Sequence, residues 1–179
     1  MLTMLMEELE KIGLHLNSAK TKILNTVQNV PHFLDVAGNF IQILQPGEVH
    51  KYLGRHLPGA LSMRGPTEVK HRLQAAWYKF HQYRWQLTNP NVSVKLRLKL
   101  FDSVVSPCVL FGMGALPIHQ YYQDQIDITQ RKMLRRIVGW ARLPNEEWAI
   151  TMHRMNQRLA NAVSQYLTKS WSNRIADAK

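Results

Sequence analysis

The sequence predicts a small α+β piece followed by an all-α helical lobe. Three observations point that way. Within the first 60 residues, short apolar runs are separated by Gly, Asn and Pro, the pattern of short strands and turns. From Pro66 onward, apolar residues recur at three- and four-residue spacing, the period of helices that bury one face. Charge divides at the same place. Residues 1–60 balance Lys11, Lys20, Lys22, Lys51 and Arg55 against five acids, whereas residues 61–179 hold 18 lysines and arginines against seven acids, so the whole net charge of +11 lies there. The expected organisation is an α+β region at 1–60, a linker at 61–65 and a basic helical lobe at 66–179.

Taken in order, the first element is an amphipathic helix with Leu2, Leu5, Met6, Leu9 and Ile12 on one face, ended by Gly13. LHLN (14–17) alternates, KTKIL (20–24) alternates weakly, FIQIL (40–44) follows a Gly38-Asn39 turn, and HKYLGRHL (50–57) leads into a Gly- and Pro-rich loop. In the lobe, Val69, Leu73, Trp77, Phe80 and Leu87 fall close to one face of a first helix that has Pro66 in its first turn. Asn89-Pro90-Asn91 breaks the chain, and a second helix is expected from about Ser93 to Leu110. Pro117 is expected to open a third helix carrying Ile126, Met133, Leu134, Ile137 and Val138 and ending at Gly139. Asn145 with Glu146 and Glu147 reads as the cap and acidic first turn of a fourth, with a helical tail to about Ala176.

A chain of 179 residues is long enough to bury roughly two-thirds of its unfolded surface and to fold without staples. Cys108 is the only cysteine, which excludes an intramolecular disulfide framework and a Cys-based zinc site and fits a reducing, intracellular setting, nuclear or cytoplasmic. The N-terminal MLTMLMEELEK carries three glutamates where a leader would continue its apolar core, and no run is expected to reach the length of a membrane span. Positive charge concentrated in one half is the electrostatic footprint of a nucleic-acid or anionic-surface contact.

Two constellations carry chemistry. GLHLNSAKTKIL (13–24) leads two alternating leucines into Asn17, Lys20 and Lys22, and KYLGRHL (51–57) places Tyr52, Leu53 and Gly54 together. In the lobe, Lys95, Arg97 and Lys99 alternate with leucines in LRLKLFDSVVSPCVLFG and its flank, while Arg131, Lys132, Arg135 and Arg136 recur at helical spacing in QRKMLRRIVG with no acid among them. Like charges at i,i+4 weaken a helix, so such a face is easier to understand when phosphates neutralise it. A solvated turn with solvated lysines explains the first constellation equally well, and a glycine-marked bulge the second. Trp77 and Phe80 have core spacing, Trp85 is free to stack on a base, and Cys108 and most histidines are assigned to packing or surface.

The order ELEKIGLHLNSAKTKIL, a short two-strand insert, KYLGRHL, then a basic helical lobe resembles the reverse transcriptases of non-LTR (LINE-type) retrotransposons over most of the chain. The resemblance implies a distal polymerase palm followed by a thumb. It implies that Lys20 contacts the nucleotide triphosphate from a loop braced by Asn17. It implies a primer-grip hairpin at Tyr52, Leu53 and Gly54, with Tyr52 and Leu53 on opposite faces, and duplex contacts from Lys22, Lys95, Lys99, Arg131, Lys132, Arg135 and Arg136. In the intact family enzymes, paired carboxylates hold Mg²⁺. Here the five aspartates, Asp35, Asp102, Asp124, Asp127 and Asp177, include no adjacent pair. Residues 1–179 are therefore expected to lack a complete catalytic set and a metal site of their own, to bind an RNA–DNA or DNA primer–template without touching membrane, and to be inactive alone. This holds whether the chain is a truncated remnant or part of an intact enzyme. The alternative is a basic helical module for acidic protein or membrane surfaces. Oligomeric state is not encoded in these letters.

Overall fold

The computed structural model describes residues 2–25, 29–45, 47–166 and 169–178, with the side chain of Leu61 excepted. Short strands come first and helices after, and the chain divides into two compact units, Met1–Glu68 and Val69–Lys179. The predicted α+β piece followed by a helical lobe is the architecture observed.

In the first unit, helix α1 (Leu2–Lys11) buries no residue completely: Leu2, Met6 and Leu9 are half-covered, while Leu5 and Ile12 face solvent. A three-stranded sheet follows in the order β1 (Lys22–Ile23), β3 (Asn39–Ile43), β2 (Phe33–Val36), with β1 parallel and β2 antiparallel to the central strand. Its register pairs Ile23 with Ile43 and Leu34 with Ile41, which puts these residues on one face with Val36 and sends Lys22, Gln42, Phe33 and Phe40 to the other. Strands β4 (Val49–Tyr52) and β5 (Arg55–Pro58) form a separate hairpin.

Three expectations for this unit are corrected. LHLN is not a strand, because none of the described residues offers it a ladder partner. The β2–β3 turn has Ala37 and Gly38 at its centre, not Gly38 and Asn39; Asn39 already pairs with Val36, and the Gly38 N–H donates to Asp35 Oδ1 at 2.9 Å. Both hairpins turn through two residues of positive φ, Ala37 at 52° with Gly38 at 79°, and Leu53 at 46° with Gly54 at 75°. That turn matches the right-handed twist of the strands it joins. Residues 61–65 are not an open linker: Leu61–Met63 form a 3-10 turn and helix α2 (Arg64–Gln82) begins at once. Glu68, on the part of α2 that belongs to this unit, accepts the His56 N–H at 2.8 Å and fastens β5 to the helix.

The second unit contains the rest of α2, then α3 (Arg84–Thr88), α4 (Val94–Val104), α5 (Ser106–Leu110), α6 (Gln120–Val138), α7 (Trp148–Tyr166) and α8 (Trp171–Asp177). Its core is built from Phe80, Leu98, Phe101, Val109, Ile126 and Trp171, all without exposed surface. Trp171 stacks on Phe101 with ring centroids 5.6 Å apart, donates its indole N–H to Ser106 Oγ at 2.8 Å, and donates its backbone N–H to Gln130 Oε1 at 2.9 Å. An Arg174–Asp102 ion pair and the Ser172 contacts to Asp127 tie α8 to α4 and α6.

Helix boundaries depart from the expected ones where backbone chemistry intervenes. The single helix expected from Ser93 to Leu110 is two, since Pro107 has no N–H to give and its ring clashes with the carbonyl four residues back. The first lobe helix breaks at Tyr83, so Leu87 is buried from α3. Helix α6 starts at Gln120, not Pro117, because His119 caps it, its Nδ1 accepting the Tyr121 N–H at 3.3 Å. Asn145 is not a helix cap; it sits at φ 59° in a turn, and α7 begins at Trp148. The stretch Val94–Ala115 is long and apolar enough to cross a membrane by length and composition, contrary to expectation. It is broken at Val105, however, and it spends Leu98, Phe101, Val105, Val109 and Met113 on the core of the helical unit.

Glu146 staples the approach to α7. The Arg154 guanidinium donates to both of its oxygens at 2.8 and 2.7 Å, the Thr151 hydroxyl donates at 2.7 Å and the Leu143 N–H at 3.2 Å. These bonds, Arg154 foremost, hold the carboxyl at about pKa 2 against partial desolvation. A carboxyl with a depressed folded pKa stabilises the fold above its unfolded pKa and loses that contribution as pH falls through the folded one. Wild type should therefore lose stability relative to Glu146→Gln between about pH 4.5 and pH 2. Thermal melts of the two proteins across that window check it; parallel pH profiles would show that the staple does not form.

Candidate nucleic-acid interface

In the first unit, Asn17 organises the loop that presents Lys20. Its side-chain oxygen accepts the Lys20 N–H at 3.0 Å, and its carbonyl accepts the Thr21 N–H at 2.9 Å and the Thr21 hydroxyl at 2.8 Å. The turn Ser18–Lys20 is closed from one residue, which leaves the Lys20 ammonium exposed at its end. Lys22 is differently placed. Its Nζ donates to Gln42 Oε1 at 2.8 Å, and the Gln42 amide N–H₂ turns to the Glu48 carboxylate at 3.3 Å, so part of its charge is already answered.

Lys20, Lys22 and Tyr52, distant in sequence, line one cavity of about 380 Å³, walled by Leu24, Leu44 and Leu57 and bordered by His50. His50 and Tyr52 are two residues apart on β4 and therefore share a face, and His50 pairs across the hairpin with Leu57. The combination of two ammoniums, an imidazole, a phenol and apolar walls suits an anion with an apolar body. His50 was missed as a site residue, although its alternation with Tyr52 in HKY was a legible signal. Leu53 and Gly54 do not line the cavity. Leu53 is not on a strand face opposite Tyr52; it is the tip of the turn, 78% exposed and left-handed. Gly54 supplies the second positive φ of that turn, a local requirement of the hairpin.

In the helical unit the cations separate into three kinds. Lys95 and Lys99 lie one turn apart on the exposed face of α4. Arg97, between them in sequence, is 7% exposed; its guanidinium donates to the Ile137 carbonyl at the end of α6, and burial, with the nearby Arg158 charge, pushes its pKa down. It is a packing residue that caps a neighbouring helix, and the apparent alternation of cations on α4 is an accident of spelling. On α6 the four cations differ in what they touch. Arg131 and Lys132 are exposed and make no hydrogen bond or ion pair among the described residues. Arg135 donates to Asn156 Oδ1 at 3.0 Å and lies over the Trp140 ring, and Arg136 lies over Trp77 at 5.0 Å. These two hold helices and rings together while keeping their charge, so they are not pure surface charge. Phe80 is fully buried with Trp77 edge-on against it, whereas Trp85 is 77% exposed. Among the described residues, no three His, Cys, Asp or Glu side chains come together as a metal site would need.

Compared with known proteins, the chain is similar to an uncharacterized transposon-derived protein of Caenorhabditis elegans, 26% identical over 186 aligned positions. The similarity covers all of this chain and 65% of that relative, so the chain spans less than two-thirds of the relative's length. The similarity is to a transposon-derived protein, and it extends through both units. No family description matches the chain, and no solved structure matches it.

Proposed function

We propose that this chain is the distal palm and thumb portion of a non-LTR retrotransposon reverse transcriptase, and that it holds primer–template without polymerising alone. The observation that carries the reading is the cavity of the first unit, where Lys20, Lys22 and Tyr52, from two separate sequence motifs of the resembled family, line one space. The transposon-derived relative supports the same reading, since its similarity runs the full length of this chain. Exposed Lys95, Lys99, Arg131 and Lys132 give the helical unit a surface for phosphates, and scattered backbone contacts of this kind follow duplex shape without reading bases. Lys20, the cavity ammonium that among the described residues meets no carboxylate or amide, is the triphosphate or backbone contact of the first unit.

The test is equilibrium binding of residues 1–179 to RNA–DNA duplexes of unrelated sequence over a salt series, with a primer-extension assay alongside. Binding should be nearly indifferent to sequence, log affinity should fall linearly with log salt, and Lys20→Ala should weaken binding more than Lys22→Ala. No primer should be extended with Mg²⁺ or Mn²⁺, because the 179 residues contain no adjacent aspartates. Extension that survives further purification would refute the second half of the proposal. Tight binding to an acidic protein or an anionic vesicle, with none to duplex, would refute the first.

A further inference from the structure

A cleft of about 550 Å³ opens between α6 and α7 within the helical unit. Its floor is apolar, formed by Leu134, Leu159 and Val163, and its rim carries Arg131, Arg135 and Lys169. The polar groups around it are unevenly spent. Gln130, which is 6% exposed, has its Oε1 occupied by the Trp171 N–H; a backbone N–H can only donate, so the Gln130 amide nitrogen is the end left over. The Asn156 Oδ1 accepts from Arg135, which leaves the Asn156 amide nitrogen unspent by the same logic. Both Asp127 oxygens accept from Ser172. Arg135 Nε is buried and has no hydrogen-bond partner among the described residues. Arg131 has no partner among the described residues. The acceptors of the cleft are thus used inside the protein, Lys169 is paired with Asp177 and Arg135 is partly spent on Asn156, while the Gln130 and Asn156 amide nitrogens and the Arg131 cation are unspent among the described residues. A ligand that fits is rich in acceptors, anionic at one end and flat or apolar in the middle.

We propose that the α6–α7 cleft is a nucleotide site, with a base over the Leu134–Leu159 floor, its acceptor edge toward the Gln130 and Asn156 amides, and its phosphate on Arg131. The choice of a nucleotide among such anions rests on the nucleic-acid reading above. The nucleotide comes either from an unpaired end of the bound strand or from free solution. The apolar floor takes the flat face of any base, while the two amide donors favour a base that presents acceptors on that edge.

Three probes are titrated against the full chain at fixed salt: a blunt RNA–DNA duplex, the same duplex with one unpaired 3′ nucleotide, and adenosine monophosphate. The overhang should bind about tenfold tighter than the blunt duplex, the gain from one base face buried on the apolar floor and its edge on two amide donors. Ala160→Phe, which fills the cleft from its α7 wall and leaves every charge in place, should erase that preference without altering blunt-duplex affinity or its salt slope. Arg131→Gln, at an exposed position, should weaken adenosine monophosphate binding without changing the melting temperature. Saturable adenosine monophosphate binding that Ala160→Phe removes, with no overhang preference, assigns the site to a free nucleotide. Should no duplex bind at all, the primer–template reading fails, and the adenosine monophosphate arm alone decides the cleft. The proposal is overturned if neither the overhang nor adenosine monophosphate is preferred, or if Ala160→Phe folds and keeps the preference. It is also overturned if a glutamate-rich helical peptide occupies the cleft and the nucleotide does not.

Discussion

Phe101→Ala should cost the helical unit ~3–5 kcal/mol, the range for deleting a fully buried aromatic ring. Phe101 has no exposed surface and forms a stacked pair with Trp171, so truncation removes contacts from α4 and α8 together. Trp171 cannot simply tip into the void, because its indole N–H is held by Ser106 and its backbone N–H by Gln130. A wall that does not collapse leaves the cavity open, which places the effect high in the range. Urea denaturation should show the midpoint falling, and duplex binding should be lost in step with the folded fraction, since Lys95 and Lys99 are carried by the same helix as Phe101. A loss below 1 kcal/mol would mean that the α4–α8 seam is not packed as described.

The double substitution Arg131→Ala with Lys132→Ala should have the opposite profile: unchanged stability, weaker binding to every duplex sequence, and a salt slope flatter by about two units, one for each phosphate contact removed. Both side chains are exposed and make no hydrogen bond or ion pair among the described residues, so nothing inside the fold depends on them. Arg135→Ala is the informative contrast. It removes one charge but also the hydrogen bond to Asn156 and the contact over Trp140, so its melting temperature should fall while its slope changes by about one unit. If the double variant binds with unaltered affinity and slope, the α6 cations are a solvated face and take no part in binding.

The comparison of these two variants turns on a distinction that periodicity cannot make. Helical spacing in QRKMLRRIVG correctly separates Met133, Leu134, Ile137 and Val138, which are buried, from four cations that are not. Spacing does not say what a cation's neighbour is, because that neighbour comes from elsewhere in the chain: Asn156 from α7 for Arg135, and Trp77 from α2 for Arg136. Arg97 is the sharper case. Local sequence groups it with Lys95 and Lys99, yet the carbonyl that accepts its hydrogen bond lies 40 residues away.

What the sequence determined by itself is whatever local chemistry dictates: two regions divided by hydrophobic period and charge, the turn at Gly38 to within one residue, the Asn17 turn, and the apolar faces of the helices, whereas HKYLGRHL, read as one strand run, is two strands about a Leu53–Gly54 turn. Each depends on residues within a turn or two of one another, where side-chain period and backbone preference act directly. Tertiary structure alone decided which polar groups are spent. It brought Lys20, Lys22, His50 and Tyr52 around one cavity, answered Lys22 through Gln42 and Glu48, and turned the Gln130 and Asn156 amides by giving their oxygens to Trp171 and Arg135. The reason is physical: a buried donor or acceptor must be paired wherever a partner is found, and partners supplied by other elements leave no mark on the local pattern.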